Sequence, residues 1–114
     1  MIAHIVLFRP RGDLSAGDRQ SLADSFATAV RQIPTVRRAR VGRRITHGRG
    51  YEQLMRTSYD YAAVLEFDDR AGLLAYLEHP VHHELGDRFF TAFEEALMYD
   101  YELREGEDGI VSLP

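Results

Sequence analysis

The stretch Ile5-Val6-Leu7-Phe8 contains no polar residue. In a strand, its side chains alternate between two faces. Ile5 and Leu7 fall with Ala3 on one face, and Val6 and Phe8 fall with His4 on the other. A strand over residues 2–9 therefore has no side suited to water and must be covered on both. Pro10 and Gly12 close it. Residues 59–67 repeat the pattern. Tyr59, Tyr61, Ala63, Leu65 and Phe67 line one face, while Asp60, Ala62, Val64 and Glu66 give the other an apolar centre. Two strands of this kind restrict the chain to a sheet that is packed on both faces.

The remaining elements follow from periodicity. Ser15 with Asp18 forms a variant capping box. Leu22, Phe26, Ala29, Val30 and Ile33 then trace one stripe of a helix that ends before Pro34. Val36 to Ile45 is predicted as a strand, and its five arginines suit an edge. Residues 46–58 have no regular period and read as the longest, most mobile loop. Asp68 is the predicted cap of a short helix over residues 69–77, with Leu73, Leu74 and Leu77 inward. Pro80 fits the first turn of a further helix, with His79 before it. Val81, Leu85, Phe89, Phe93 and Leu97 are spaced by four along that helix. Met98 to Leu103 is predicted as the last strand, and residues 104–114 as a polar, then mixed, tail.

Composition narrows the function classes. The chain of 114 residues has a net charge of −4, all 14 of its basic residues are arginine, and it has no cysteine. The acidic balance argues against nucleic acid as a partner. The absence of lysine removes Schiff-base and P-loop chemistry. The absence of cysteine removes disulfides, thiolate catalysis and Cys-ligated metals. No apolar run reaches the roughly 20 residues that span a bilayer, and the N-terminus shows no signal peptide. A cytoplasmic protein is the expectation.

The order strand, helix, strand, strand, helix pair, strand is the split βαβ pattern of an α+β, ferredoxin-like sandwich. It places helices on one face of a four-stranded antiparallel sheet. Leaving the other face in water would forfeit about 1.5–3 kcal/mol for each large apolar side chain. A homodimer packed through the sheet face is the expected solution.

The segments His4-Ile5-Val6-Leu7-Phe8, Val41-Gly42, Val64-Leu65-Glu66-Phe67, Tyr76-Leu77-Glu78-His79-Pro80-Val81-His82 and Asp100-Tyr101 resemble the stress-responsive A/B barrel domain, also called the dimeric α/β barrel or Dabb domain. The resemblance spans about residues 2–103, which makes 1–103 the domain and 104–114 a tail. It implies a ferredoxin-like fold, with two copies closed into a dimeric barrel. One plant branch that this chain resembles comprises polyketide cyclases, which perform an intramolecular aldol condensation in a pocket between helices and sheet. By that resemblance, His82 and Tyr76 correspond to the catalytic pair. His4, Val6 and Phe8 correspond to pocket positions on the first strand, and Asp100 to a pocket carboxylate on the last. The chain differs from that branch in its 46–58 loop, and it has Phe93 where the pocket of that branch has Trp. Leu85 is counted with the same pocket.

The residues support this chemistry independently. With Pro80 first in its helix, His82 lies near the positive helix end, which disfavours protonation. A neutral imidazole is a competent general base. Tyr76 can donate to a carbonyl gaining negative charge, and Asp100 can orient either His82 or His4. The expected reaction is cofactor-free proton transfer on a carbonyl or polyketide-like compound, such as an aldol cyclisation. Each residue also has a structural reading. His79-Pro80 marks a helix start, Tyr76 packs a core, and His4 is a satisfied histidine on the sheet. A non-catalytic stress-response or small-ligand-binding protein and a monooxygenase-like member of the fold are the alternatives. His79, His82 and His83 do not make a metal site, because Pro80 fixes the backbone and residue 83 points away from residue 82.

Overall fold

The computed structural model describes residues 1–112. Strands β1 (Ile2–Pro10), β2 (Arg38–Arg43), β3 (Tyr61–Phe67) and β4 (Phe93–Glu102) form one antiparallel sheet in the order β2-β3-β1-β4. Helices α1 (Ala16–Gln32), α2 (Arg70–Glu78) and α3 (Pro80–Ala92) supply the second layer. The two strands apolar on both faces, β1 and β3, are the central pair. The arginine-rich β2 is an edge, where its charges meet water. This is the ferredoxin-like arrangement expected from the sequence.

Register divides the side chains between the two faces. Val6 pairs with Ala63 on one side and Met98 on the other, and His4 pairs with Leu65 and Asp100. These residues face the helices. The core is Phe67, Ile33 and Leu65, each nearly inaccessible, with Ala29, Leu73 and Tyr76 packed around them. The opposite face presents Ile5, Leu7, Ala62, Val64, Leu97, Tyr99 and Tyr101, as the pairings Ile5 with Val64 and Tyr99 require. Tyr99 and Tyr101 are about half exposed, at 49% and 51%. No helix among the described residues covers that face, so the apolar second side read from the sequence is present and open there.

Local chemistry explains the element boundaries. Ser15 Oγ accepts from the Asp18 amide at 3.0 Å and caps α1. Ser15→Ala is therefore expected to cost about 0.5–2 kcal/mol of stability, to be read from urea unfolding. A midpoint equal to wild type would show that the cap contributes nothing. The cap of α2 is Asp69, not Asp68: Asp69 Oδ1 accepts from the Gly72 amide at 2.8 Å. Asp68 instead pairs with Arg37 at 2.7 Å.

The last strand begins at Phe93, five residues before the predicted Met98. The chain turns extended at Phe93, with φ −114° and ψ 142°, so Phe93 and Leu97 belong to β4 and not to a helix. A spacing of four keeps residues on one side of a helix and, being even, also suits a strand. The loop at 46–58 contains a 3-10 turn, Gly50–Leu54. Glu52 fastens it by accepting from the His47 and Gly48 amides at 2.8 and 2.6 Å. Gly48 takes φ +71°, a conformation that favours glycine there. The tail gains a short helix, α4 (Gly106–Val111). The tail's last two residues, 113 and 114, lie outside the described residues. No helix among the described residues is long and apolar enough to cross a membrane.

Candidate functional site

The turn from α2 to α3 is made by one residue. His79 ends α2 and caps α3, its Nδ1 accepting from the Val81 amide at 3.1 Å, and Pro80 follows at the first helical position. His79 thus has the capping role that its place before Pro80 suggests. The same turn sets His82 in the first turn of α3, facing back onto Tyr76 in α2. Their ring centroids lie 4.6 Å apart.

His82 is half-buried, and its Nδ1 is fully buried with no hydrogen-bond partner among the described residues. Unpartnered buried polar atoms are rare and call for a reason. Burial is the main cause that holds the His82 pKa below the ordinary 6.5, with His4 and His83 adding to it. The Leu77 backbone, which favours the protonated ring, opposes the shift. The ring is therefore neutral at pH 7. Tyr76 is almost fully buried, and burial pushes its pKa up to about 12. Its hydroxyl keeps its proton across the physiological range and has no partner among the described residues.

His4 lies across from this pair on β1, its ring 6.0 Å from that of Tyr76. It is buried, and its Nδ1 lies 2.6 Å from Asp100 Oδ1. Register explains the contact, since His4 and Asp100 are direct partners across β1 and β4. Asp100 therefore orients His4 and not His82. Donation of the Nδ1 proton to the carboxylate leaves the other ring nitrogen of His4 without a partner among the described residues.

These three rings stand at one end of a cavity of about 420 Å³ between the sheet and the α1–α3 pair. Its volume is that of a small-molecule site. Val6, Phe8, Leu85 and Phe93 line it, with His4, Tyr76 and His82. Asp100 is not on its lining and contacts His4 instead. Phe8 anchors the aromatic wall, 4.6 Å from Phe93 and 5.6 Å from both Tyr61 and Phe89.

Phe93 reaches this wall because of an irregularity in the sheet. Arg9 pairs with Glu95, but Pro10 pairs with Phe93, so Glu94 is an extra residue in β4. This bulge turns Phe93 to the cavity side, while Glu94 and Glu95 both face Arg9.

Leu22 and Phe26 of α1, with Tyr61 and Met98 of the sheet, also line the cavity. The sequence marks the α1 stripe and the Tyr61 face only by their periodicity. Periodicity marks a side chain as inward without showing whether packing or empty space lies opposite. No group of three metal-ligating side chains comes together among the described residues. His79 Nδ1 is already engaged in the cap, and His83 is exposed.

The profile of the stress responsive A/B barrel domain matches residues 2–103. Olivetolic acid cyclase of Cannabis sativa is 19% identical over 104 residues, 91% of this chain and 98% of that protein. A hydroxynitrile lyase from Passiflora edulis superposes with a TM-score of 0.76 at 21% identity, covering 92% of this chain and 94% of that one. A protein of unknown function from Thermobifida fusca, described as a dimeric ferredoxin-like protein, superposes with a TM-score of 0.69 at 22% identity, covering 90% of each chain. At these identities the structural likenesses establish the fold.

Proposed function

The chain belongs to the stress-responsive A/B barrel domain family, and from that premise we propose that it catalyses cofactor-free proton transfer on a carbonyl compound bound in the cavity. His82 is the general base and Tyr76 the hydrogen-bond donor to the carbonyl oxygen. The observation that carries this reading is the neutral His82 ring packed against the Tyr76 ring at the end of a mainly apolar cavity. Nδ1 is enclosed by the protein, so Nε2, which has no hydrogen-bond partner among the described residues, is the nitrogen left to take a proton from a bound C–H or O–H acid.

The steps follow from where the groups stand. The lining is mainly apolar, so a ligand that displaces water from it strengthens each polar interaction at the reacting centre. Tyr76 donates to the carbonyl oxygen as negative charge builds on it. His82 takes the proton from the neighbouring carbon or hydroxyl. His4, held by Asp100, offers a second polarisable ring at the same end. A cyclase and a hydroxynitrile lyase among the relatives support this class of chemistry. An intramolecular aldol cyclisation of a polyketide-like chain is the form we favour.

The working unit is a homodimer closed through the open sheet face. The uncovered Ile5, Leu7, Val64 and Leu97 support this, as does the dimeric state of the Thermobifida fusca protein.

The reading is tested by turnover of β-keto and polyketide-like thioesters. Wild type should convert at least one of them with no added cofactor. Tyr76→Phe, which keeps the ring against Phe67 and His82, should lower kcat by about tenfold to a hundredfold with little change in KM. A Tyr76→Phe variant as fast as wild type would remove the donor role.

A further inference from the structure

The cavity is chemically two-ended. It follows β1 from His4 to Pro10, both of which line it. Six residues of strand at roughly 3.3 Å each make that about 20 Å. His4, Tyr76 and His82 occupy one end. Pro10, Leu14 and Arg19 lie at the other, where β1 leads into α1, and the wall between is apolar and aromatic. Arg19 is the one permanently charged side chain on the lining. Arg9, Arg11, Arg37, Arg40, Arg88 and Arg104 each have a carboxylate within 4 Å. Arg19 has no ion pair and no side-chain hydrogen bond among the described residues; Arg38, Arg43, Arg49, Arg56 and Arg70 share that state, but only Arg19 lines the cavity.

We propose that Arg19 is a specificity-determining residue of this cavity, and that its ligand is a narrow apolar molecule with an anionic group, carboxylate or phosphate, at the end remote from His82. This rests on the reading that the cavity holds a small molecule, and it adds which class of molecule. A guanidinium gives an anion two parallel hydrogen bonds and a fixed direction. With its charged end held at the mouth, the ligand can enter in one orientation only, its reactive end toward Tyr76 and His82. A neutral ligand of the same shape lies in either sense, and half of such encounters are unproductive. Orientation, more than affinity, is the gain, because a solvent-exposed ion pair is itself weak.

Titration calorimetry with octanoate, octyl phosphate and 1-octanol separates the parts of the proposal. Wild type should bind at least one of the anions about three- to tenfold tighter than 1-octanol, with the preference shrinking as salt is raised. Whichever anion binds more tightly identifies the group that Arg19 accepts. Arg19→Gln replaces an exposed helix residue with another good helix former. It should bring the anions to the level of the alcohol and leave the alcohol unchanged. Equal binding of anion and alcohol by wild type overturns the proposal while leaving the cavity as a binding site. So does an Arg19→Gln variant that loses all three ligands alike. Binding of none of them removes the cavity reading, and the proposal with it.

Discussion

His82→Ala is expected to lower kcat/KM by about 10²–10⁴-fold on whichever carbonyl compound the wild-type protein converts. The loss should appear in kcat, since the base acts in the transition state and binds little in the ground state. The half-buried ring can be removed without opening the core, which centres on Phe67, Leu65 and Ile33, so circular dichroism should stay that of wild type. Equal rates for the two proteins would end the role assigned to His82. The pH dependence adds a second readout. Burial lowers the folded pKa of His82 below the ordinary 6.5, so the acid limb of wild-type kcat/KM should fall below pH 6.5. Stability follows the same linkage. Below pH 6.5 the unfolded chain takes up a proton that the folded ring resists. The stabilisation is thus whole above that pH and is lost as the pH falls through the folded value. His82→Ala should flatten that part of the pH–stability curve.

Val64→Arg is expected to convert the proposed dimer into a monomer. Val64 sits on β3 in the middle of the uncovered face, directly opposite Ile5. Two-fold symmetry would place a charge from each subunit in the same desolvated layer. A buried, unpaired charge costs several kcal/mol, so the dissociation constant should rise by about 10³-fold or more. Sedimentation velocity at micromolar concentration checks this directly. The wild-type unfolding midpoint should rise with protein concentration, and that of the variant should not. A variant that still sediments as the wild-type dimer would mean the subunits associate elsewhere.

Much of this architecture is legible in the amino-acid order, because its strongest signals are local. The double-sided apolar runs identify β1 and β3 as the central strands. Ser15 and the His79-Pro80 pair mark helix starts through short-range hydrogen bonds. The approach of His82 to Tyr76 follows from that same turn. Other features depend on long-range register. Nothing near Asp68 says that its carboxylate goes to Arg37, leaving the cap to Asp69. That Asp100 serves His4 and not His82 is decided by strand pairing across 96 residues. The cavity itself is least legible, since Phe26 and Tyr61 have the periodicity of core residues, pack against the core, and also face a space. Phe93 combines both difficulties: its spacing suits the preceding helix, and its direction depends on one extra residue.

That extra residue makes the length of β4 negotiable at a single point. If Glu94 were deleted, Phe93 would still stand opposite Pro10, and Ala96, Met98 and Asp100 would keep their side of the sheet. A deletion farther along the strand would exchange its inward and outward side chains beyond the cut, sending Asp100 away from His4. In a lineage that gains and loses codons, this corner is where the strand can be shortened without rewriting what it presents to either neighbour.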